Sequence, residues 1–221
     1  MQQDRQKILN VSIKRFLRRG ASSRLNKIVN KTHGADLSIL FRELSLSDQQ
    51  LLFDMIEDME QKAILLSELD EDILVDLVDE LPPEAVVATL EAMPNDDVAD
   101  LLNQLPEDTA TNLLKRMEKK GSDEVEDLMR FADDTAGGIM NPDFIALNQE
   151  ISAKAAISQI QQEFADVEMP FYLYAVDEHG KLVGVSSLRQ LVVVKPDTPL
   201  KAFMNTDVIS VRTYMDQEEG A

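Results

Sequence analysis

Apolar residues recur at spacings of three and four near the start of the chain, which predicts an amphipathic helix. In KILNVSIKRFLRR the apolar positions are Ile8, Leu9, Val11, Ile13, Phe16 and Leu17. Gly20 follows as a stop signal, and Ser22 or Ser23 is expected to cap a second helix over residues 24–30. We expect the first helix to pack on its own domain, although a basic amphipathic helix can also lie on a membrane or a partner.

A twelve-residue repeat begins at Leu69 and continues through Leu81, Met93, Leu105 and Met117. An acid follows three places after each of the first four, and apolar residues follow five and nine places after. Each unit therefore predicts a turn and then a short helix with one apolar stripe. One such helix cannot bury its stripe alone, so neighbours must stack. The pattern predicts an α-solenoid of short antiparallel helices that starts near Ser45 and Ser47, which offer caps.

The pattern changes at DDTAGGIMNPDFIAL, after a predicted helix at 123–131. Gly137-Gly138 and Asn141-Pro142 break helix there, and strand signals begin. FIAL, FYLYAV and KLVGVSS read as strands, the last two joined by a turn at 177–180. SAKAAISQIQQEF, SLRQLVVV and TPLKAFM predict helices, and DVISVR predicts a last strand. The fold class is therefore α+β overall: an all-α superhelical solenoid followed by an α+β domain.

Charge is unevenly distributed within the net −19 of the chain. Residues 1–33 carry nine Lys or Arg against one Asp, whereas residues 34–130 carry 26 acids against seven bases. Such an acidic body repels phosphate backbones, which argues against nucleic acid as a partner and favours cations. Acidity alone also keeps a protein in solution, so it does not decide between these roles. No apolar run is long enough to predict a membrane segment.

The residue types that usually carry catalysis are scarce. The chain has no Cys, which excludes disulfides and thiolate metal sites. Of its two histidines, His179 is predicted in a hairpin turn and His33 at a helix C-terminus. AGG and HGK do not have the spacing of phosphate-binding loops. We therefore expect that the protein is not an enzyme.

Three aspartates stand together in NDDVADLL, and the repeat explains them unequally. Asp96 lies in the column where each unit has an acid near a helix start, which the helix dipole accounts for. Asp97 lies in a column that is otherwise uncharged. Asp100 is four places from Asp96, so the two like charges share a helix face and a cation would offset their repulsion. Helix-start chemistry and a cation site both remain open.

Three stretches of the chain resemble the cytosolic region of the MgtE family of magnesium transporters and channels. They are DDTAGGIMNPDFIAL, the hairpin FYLYAVDEHGKLVGVSSLRQLVV, which also resembles a CBS (cystathionine-β-synthase) motif, and MNTDVISVRTYMDQEE. The acidic solenoid before the junction resembles the MgtE N domain. This resemblance predicts an N-type helical domain over residues 1–130, with basic helices at 1–33 and an acidic solenoid at 34–130. A CBS motif follows over 131–205, and 206–221 begin a truncated second CBS motif.

The resemblance implies a cytosolic region that senses Mg²⁺ for a magnesium transporter. In the family, Mg²⁺ bound between acidic N and CBS faces favours the compact, closed state of a homodimer, and the transmembrane pore opens when the ion is lost. The chain would then lie at the cytosolic face of the inner membrane, with its own pore domain as partner, regulatory Mg²⁺ as ligand, and no membrane segment of its own. The alternative is an acidic solenoid and CBS module that binds a basic protein without ion sensing.

The resemblance also assigns site residues by position. The metal-binding acids of the family fall on Asp96 and Asp100, beside Asp97, and on Asp216 and Glu218. CBS motifs often bind adenosine phosphates, and the residues here that match are Tyr172 and Arg189. Gln190 stands where the family pattern has Asp on the ribose, which weighs against an adenine nucleotide.

Overall fold

The computed structural model describes residues 2–132, 134–164 and 171–219. They fall into two compact units, Met1–Asp133 and Asp134–Ala221. The first unit is helical. Its helices are α1 (Gln2–Arg18), α2 (Ser22–Val29), α3 (Gly34–Phe41), α4 (Leu46–Met55), α5 (Met59–Ser67), α6 (Glu71–Glu80), α7 (Pro83–Leu90), α8 (Asn95–Asn103), α9 (Glu107–Leu114) and α10 (Lys119–Leu128).

The predicted twelve-residue repeat is confirmed from α6 to α10. These helices begin at residues 71, 83, 95, 107 and 119. The residue two places before each start is buried in every unit: Leu69, Leu81, Met93, Leu105 and Met117. The buried apolar residue in the turn sets where each helix begins. A proline directly before α7, α8 and α9 also favours the backbone conformation of a helix start.

The repeat also extends further back than the sequence pattern indicates. Helices α2, α3 and α4 begin at residues 22, 34 and 46, and α5 begins at 59, with one extra residue in the step. The predicted start near Ser45 was therefore too late. The turns before α2, α3 and α5 contain Gly20, Thr32 and Glu57 in place of the Leu-Pro pattern, which is why the sequence did not reveal these helices as units of the repeat.

Helices of the solenoid pack mainly on the helix two places along the chain. The pairs are α2 with α4, α3 with α5, α4 with α6, α5 with α7, α7 with α9 and α8 with α10. Gly34 permits the close packing of α3 on α5, because a Cβ there would lie 2.6 Å from the carbonyl oxygen of Gln61. The ion pair of Arg116, just after α9, with Glu84 of α7 follows the same spacing, whereas that of Arg42, after α3, reaches Asp70 at the start of α6.

Two predicted helix ends are wrong at the start of the solenoid. Ala21 is the N-cap of α2, and Ser22 is its first helical residue and gives no side-chain cap. His33 is the N-cap of α3, not the end of a helix, because its Nδ1 accepts a hydrogen bond from the Ala35 N–H at 3.3 Å. The predicted cap at Ser45 is confirmed, since its hydroxyl accepts from the backbone N–H of Asp48.

Only part of the apolar pattern in α1 is buried. Ile13 is fully buried, whereas Ile8 and Val11 are 68% and 67% exposed. The helix therefore packs on α2 along one side, as we expected, and leaves two large apolar side chains on the other.

The second unit contains a three-stranded sheet. Its strands are β1 (Ile145–Asn148), β2 (Tyr172–Val176) and β3 (Leu182–Ser187), in that spatial order. β1 runs parallel to β2, and β2 runs antiparallel to β3. Helix α11 (Ala153–Glu163) lies between β1 and β2 in the chain, and α12 (Leu188–Val193) follows β3 directly. A short 3₁₀ helix covers Leu200–Ala202, and the buried core joins sheet and helices through Leu173, Ala156 and Leu191.

The predicted strand at DVISVR is not formed. Residues 207–212 have no regular secondary structure, and Ile209 is 94% exposed. The neighbouring Asn205 makes a single bridge with Val185 of β3. An alternating sequence becomes a strand only where another strand offers backbone hydrogen bonds, and the described residues supply none beyond that bridge. The observed fold is otherwise the predicted one, an all-α solenoid followed by an α+β unit.

Candidate metal site

The three candidate aspartates lie on α8. Its N-cap is Pro94, so Asp96 and Asp97 occupy the second and third helical positions. Backbone N–H groups at a helix start lack intrahelical acceptors, which favours carboxylates there. Val98, Ala99, Leu101 and Leu102 face the core. Because these apolar residues anchor α8 in the core, they also fix the directions in which the three aspartates lie around the helix.

Asp96 differs from the other acids of its repeat column. Its side chain is partly buried, and its Oδ1 is buried without a hydrogen-bond partner among the described residues. The corresponding Asp72 and Asp108 are exposed. A buried acceptor without a donor costs about 1–3 kcal/mol, and more when it is charged. Such an oxygen is a place where a cation would restore a lost interaction.

Asp97 adds a second carboxylate beside the first. Burial raises the pKa of its side chain above the usual aspartate value, and the negative charge of Asp96 raises it further. The Asp97 residue as a whole is nevertheless exposed, so we regard the effect as modest. A neighbouring divalent cation would act in the opposite direction and favour the ionised form.

Asp100 lies one turn further along α8 and is exposed. Near the helix start, Asn95 donates a hydrogen bond from Nδ2 to Oε2 of Glu124 on α10, at 2.7 Å. Glu124 was missed in the sequence, because it lies 29 residues from Asn95 and only the packing of α8 on α10 brings it close. In the part of the chain that the structure describes, no group of three or more acids or histidines is close enough to hold a metal ion.

This arrangement suits Mg²⁺ better than an ion that needs a closed cage. Mg²⁺ keeps several waters and is usually held by one or two carboxylates. Asp96 and Asp97, with Asp100 on the next turn, offer carboxylate oxygens of that kind. The residues therefore fit a hydrated Mg²⁺ bound at the start of α8.

The other two candidate acids belong to the second unit. Asp216 and Glu218 are both exposed, and Asp216 Oδ1 accepts a hydrogen bond from the Glu218 N–H at 2.8 Å. Their segment is fixed within its own unit, because Asp216 bridges Thr135 and the Ala136 N–H donates to the carbonyl of Met215. The carboxylates of Asp216 and Glu218 are thus exposed to solvent on a segment whose backbone pairs with residues 135 and 136.

The nucleotide candidates lie on and after the sheet. Tyr172 on β2 and Arg189 on α12 are exposed. Gln190 closes a capping box: its Oε1 accepts from the Ser187 N–H, and its own N–H donates to Ser187 Oγ, both at 3.2 Å. The same Oε1 also accepts from the hydroxyl of Ser186. Gln190, which stands where the resemblance predicts an acid, is therefore hydrogen-bonded to neighbouring serines.

Comparison with known proteins identifies the family. The model of the MgtE intracellular N domain matches residues 32–134. The magnesium transporter MgtE of Thermus thermophilus is 42% identical over 98 residues, which are 44% of this chain and 22% of that protein. A crystal structure of the cytosolic domain of the Mg²⁺ channel MgtE in complex with ATP has a TM-score of 0.87 and 32% identity, covering 95% of this chain and 86% of that one. The chain belongs to the MgtE family.

A second structure supports the assignment of the chain to the MgtE family. The crystal structure of the soluble part of a magnesium transporter gives a TM-score of 0.79 at 25% identity and covers 97% of this chain and 84% of that one. The segment of this chain that matches the Thermus relative spans about a fifth of that protein's length. Among the described residues, no helix is both long enough and apolar enough to cross a membrane. The relatives are named as magnesium transporters and not as enzymes.

Proposed function

We propose that this chain is the cytosolic Mg²⁺-sensing region of an MgtE-type transporter. The family supports the setting, because one related structure is described as the cytosolic domain of a Mg²⁺ channel. In this setting the chain regulates a pore that other residues of the full protein form, and it performs no catalysis itself. Its place is the cytosolic face of the inner membrane.

The observation that carries the proposal is the buried, unpartnered Oδ1 of Asp96 among the described residues. Helix-start chemistry explains an exposed acid in this column, as at Asp72 and Asp108, but it gives no reason to bury one. Asp97 beside it makes the region more negative, and its raised pKa indicates that the metal-free arrangement is unfavourable for two charges. A hydrated Mg²⁺ would satisfy Asp96, neutralise this repulsion and draw Asp100 toward the same ion.

The proposed mechanism is a population shift. Mg²⁺ bound by the α8 acids and by Asp216 and Glu218 of the second unit favours the compact, closed state of a homodimer. When cytosolic Mg²⁺ falls, the acids lose their counter-ion and the net charge of −19 favours separation of the acidic surfaces. The ion acts only through its better binding to the compact state. A ratio of about 100 in affinity between the states would supply about 2.7 kcal/mol.

The proposed regulation does not include a nucleotide. The related crystal structure contains ATP, and Tyr172 and Arg189 are the residues of this chain that would contact such a ligand. Gln190, however, has no negative charge for a ribose and is already bonded to two serines. We therefore place Mg²⁺ alone as the regulatory ligand.

The second candidate function is a binding module for a basic protein. The 26 acids of residues 34–130 favour it, because an acidic surface attracts any polycation. A basic partner would be held by many exposed carboxylates together. It would not need the buried oxygen of Asp96, and this difference separates the two functions.

The deciding experiment is hydrogen exchange of the chain in Mg²⁺ and in NaCl of equal ionic strength. We expect Mg²⁺ to slow exchange of the α8 amides beyond the NaCl control. The Asp96→Ala, Asp100→Ala double variant should lose that protection, whereas the matched Asp72→Ala, Asp76→Ala variant of α6 should keep it. Equal protection by both salts, or equal loss in both variants, would contradict ion sensing at α8.

A further inference from the structure

One face of α1 presents cations and large apolar side chains together. Lys7, Ile8, Val11, Arg15 and Arg18 are all exposed, and we call these five residues the basic face. At about 100° per residue, they fall within roughly a third of the helix circumference. Ile8 and Val11 thus stand among the three cations on a single solvent-facing surface.

The opposite side of α1 is already occupied by its own unit. Ile13 is completely buried, and the helix packs on α2. At the edge of the basic face, Lys14 Nζ forms an ion pair with Glu43 Oε2 at 2.6 Å, which fixes the helix to the turn after α3. The rotation of α1 is therefore set, and all five residues of the basic face remain exposed.

The second helix adds further positive charge to this part of the first unit. Arg24, Lys27 and Lys31, on α2 and directly after it, are also exposed. Residues 1–33 carry nine Lys or Arg against one Asp, next to an acidic stretch of opposite sign. A face with cations around protruding apolar side chains has the composition of helices that lie in the headgroup region of a bilayer.

We propose that the basic face docks on an anionic phospholipid bilayer. Lys7, Arg15 and Arg18 pair with lipid phosphates, and Ile8 and Val11 enter the boundary between headgroups and acyl chains. The acidic solenoid is repelled by the same surface. Docking therefore orients the first unit with α1 toward the lipid.

The acidic solenoid of a second copy is the competing occupant, because it is complementary in charge. That stretch has few exposed apolar side chains that could contact Ile8 and Val11, however. Over residues 34–132, all of which the structure describes, the large hydrophobic side chains classed as exposed are Ile39 and Leu51, at 44% and 43%. Carboxylates alone would bind the cations and leave the two apolar side chains in water. A bilayer accommodates both kinds of group.

The test is co-sedimentation of the 221-residue chain with vesicles of phosphatidylcholine, with and without phosphatidylglycerol. A chelator is present throughout, so that Mg²⁺ cannot bridge carboxylates to lipid and the result is independent of the proposed ion sensing. We expect binding only to the vesicles with phosphatidylglycerol, and weaker binding at high NaCl.

Two variants separate the contributions of charge and apolar insertion. Lys7→Gln with Arg15→Gln and Arg18→Gln should lower the partition coefficient about a hundredfold, from roughly fivefold per cation at the surface. Ile8→Ser with Val11→Ser keeps every charge and should lower it about tenfold. The control replaces three other exposed cations, at Lys115, Lys119 and Lys181, by Gln. It reaches the same net charge and should bind as the unaltered chain does.

Several results would overturn the proposal. They are equal binding to both kinds of vesicle, no binding to either, and an equal loss in the control and in the three-cation variant. Self-association that the three-cation variant abolishes, without vesicle binding by the unaltered chain, would assign the basic face to a second copy instead. All substituted side chains are exposed, and circular dichroism of each variant checks that the helices remain formed.

Discussion

Replacing Asp96 by Ala should make the metal-free protein more stable relative to a matched variant of the same repeat. Asp96 and Asp108 both occupy the second position of their helices, α8 and α9. Each substitution removes a favourable charge–dipole interaction of about 0.3–1 kcal/mol and gains the better helix propensity of Ala. These two effects are shared, so they cancel in the comparison.

The expected difference in the free energy of unfolding comes from the buried oxygen of Asp96. Asp96 Oδ1 has no hydrogen-bond partner among the described residues, whereas the side chain of Asp108 is exposed. Removing an unsatisfied buried acceptor recovers about 1–3 kcal/mol, and the small space left by the carboxylate offsets part of this. We therefore expect the Asp96→Ala protein to unfold with a free energy about 1–2 kcal/mol higher than that of the Asp108→Ala protein.

Urea unfolding followed by far-UV circular dichroism measures this difference, since most of the helical signal comes from the solenoid. The solution contains a chelator, and a slope of about 1–3 kcal/mol per molar converts the difference into a midpoint shift of roughly 0.3–2 M. If Asp96→Ala unfolds at the same urea concentration as Asp108→Ala or earlier, the oxygen of Asp96 is satisfied in solution. A cation at α8 would then have no unmet acceptor to bind.

Three further predictions concern other parts of the chain. Gly34→Ala should destabilise the solenoid by about 1–3 kcal/mol, because its Cβ would meet the α5 backbone, whereas Gly121→Ala in α10 has open space and should stabilise it by about 0.5–1 kcal/mol in the same urea assay. Asp97→Asn should stabilise the metal-free protein at neutral pH by roughly 0.5 kcal/mol, given the solvent screening of this side chain. That gain should shrink as the pH falls through the raised pKa, where the native carboxyl also becomes neutral, and a gain independent of pH would contradict the assignment. Gln190→Ala should speed hydrogen exchange of the α12 amides by removing a capping box of about 1 kcal/mol, and Gln190→Glu, which keeps an acceptor for the Ser187 N–H, should restore their protection.

The sequence predicted the later helices of the solenoid because one signal controls them locally. A buried Leu or Met, then Pro or an acid, and then an apolar stripe define where each helix starts without reference to distant residues. Repeats before Ser45 escaped prediction, since the turns there use Gly20 and Thr32, and a step with one extra residue interrupts the spacing before Leu69. His33 was assigned to the wrong end of a helix because a histidine before a glycine is common at C-termini, and only the hydrogen bond of its ring with Ala35 shows otherwise.

The candidate site was harder to predict, for a physical reason. Periodicity separates positions along one helix, and it placed Asp96 and Asp97 in different columns of the repeat. It cannot show that Asp96 is partly buried or that Glu124 lies beside Asn95, because both facts depend on how α8 packs against its neighbours. DVISVR illustrates the same limit, since its alternating pattern suits a strand but no described strand pairs with it.

The packing of most solenoid helices on the second one along the chain also has a consequence for folding. Bonds such as Arg42 to Asp70 and Asn95 to Glu124 close loops of 28 and 29 residues, so the loop-closure entropy is small at every step. Contacts this local favour rapid folding that can nucleate at any helix pair and spread in both directions. The end helices have fewer neighbours and should open first, so that unfolding proceeds inward from the two ends of the solenoid.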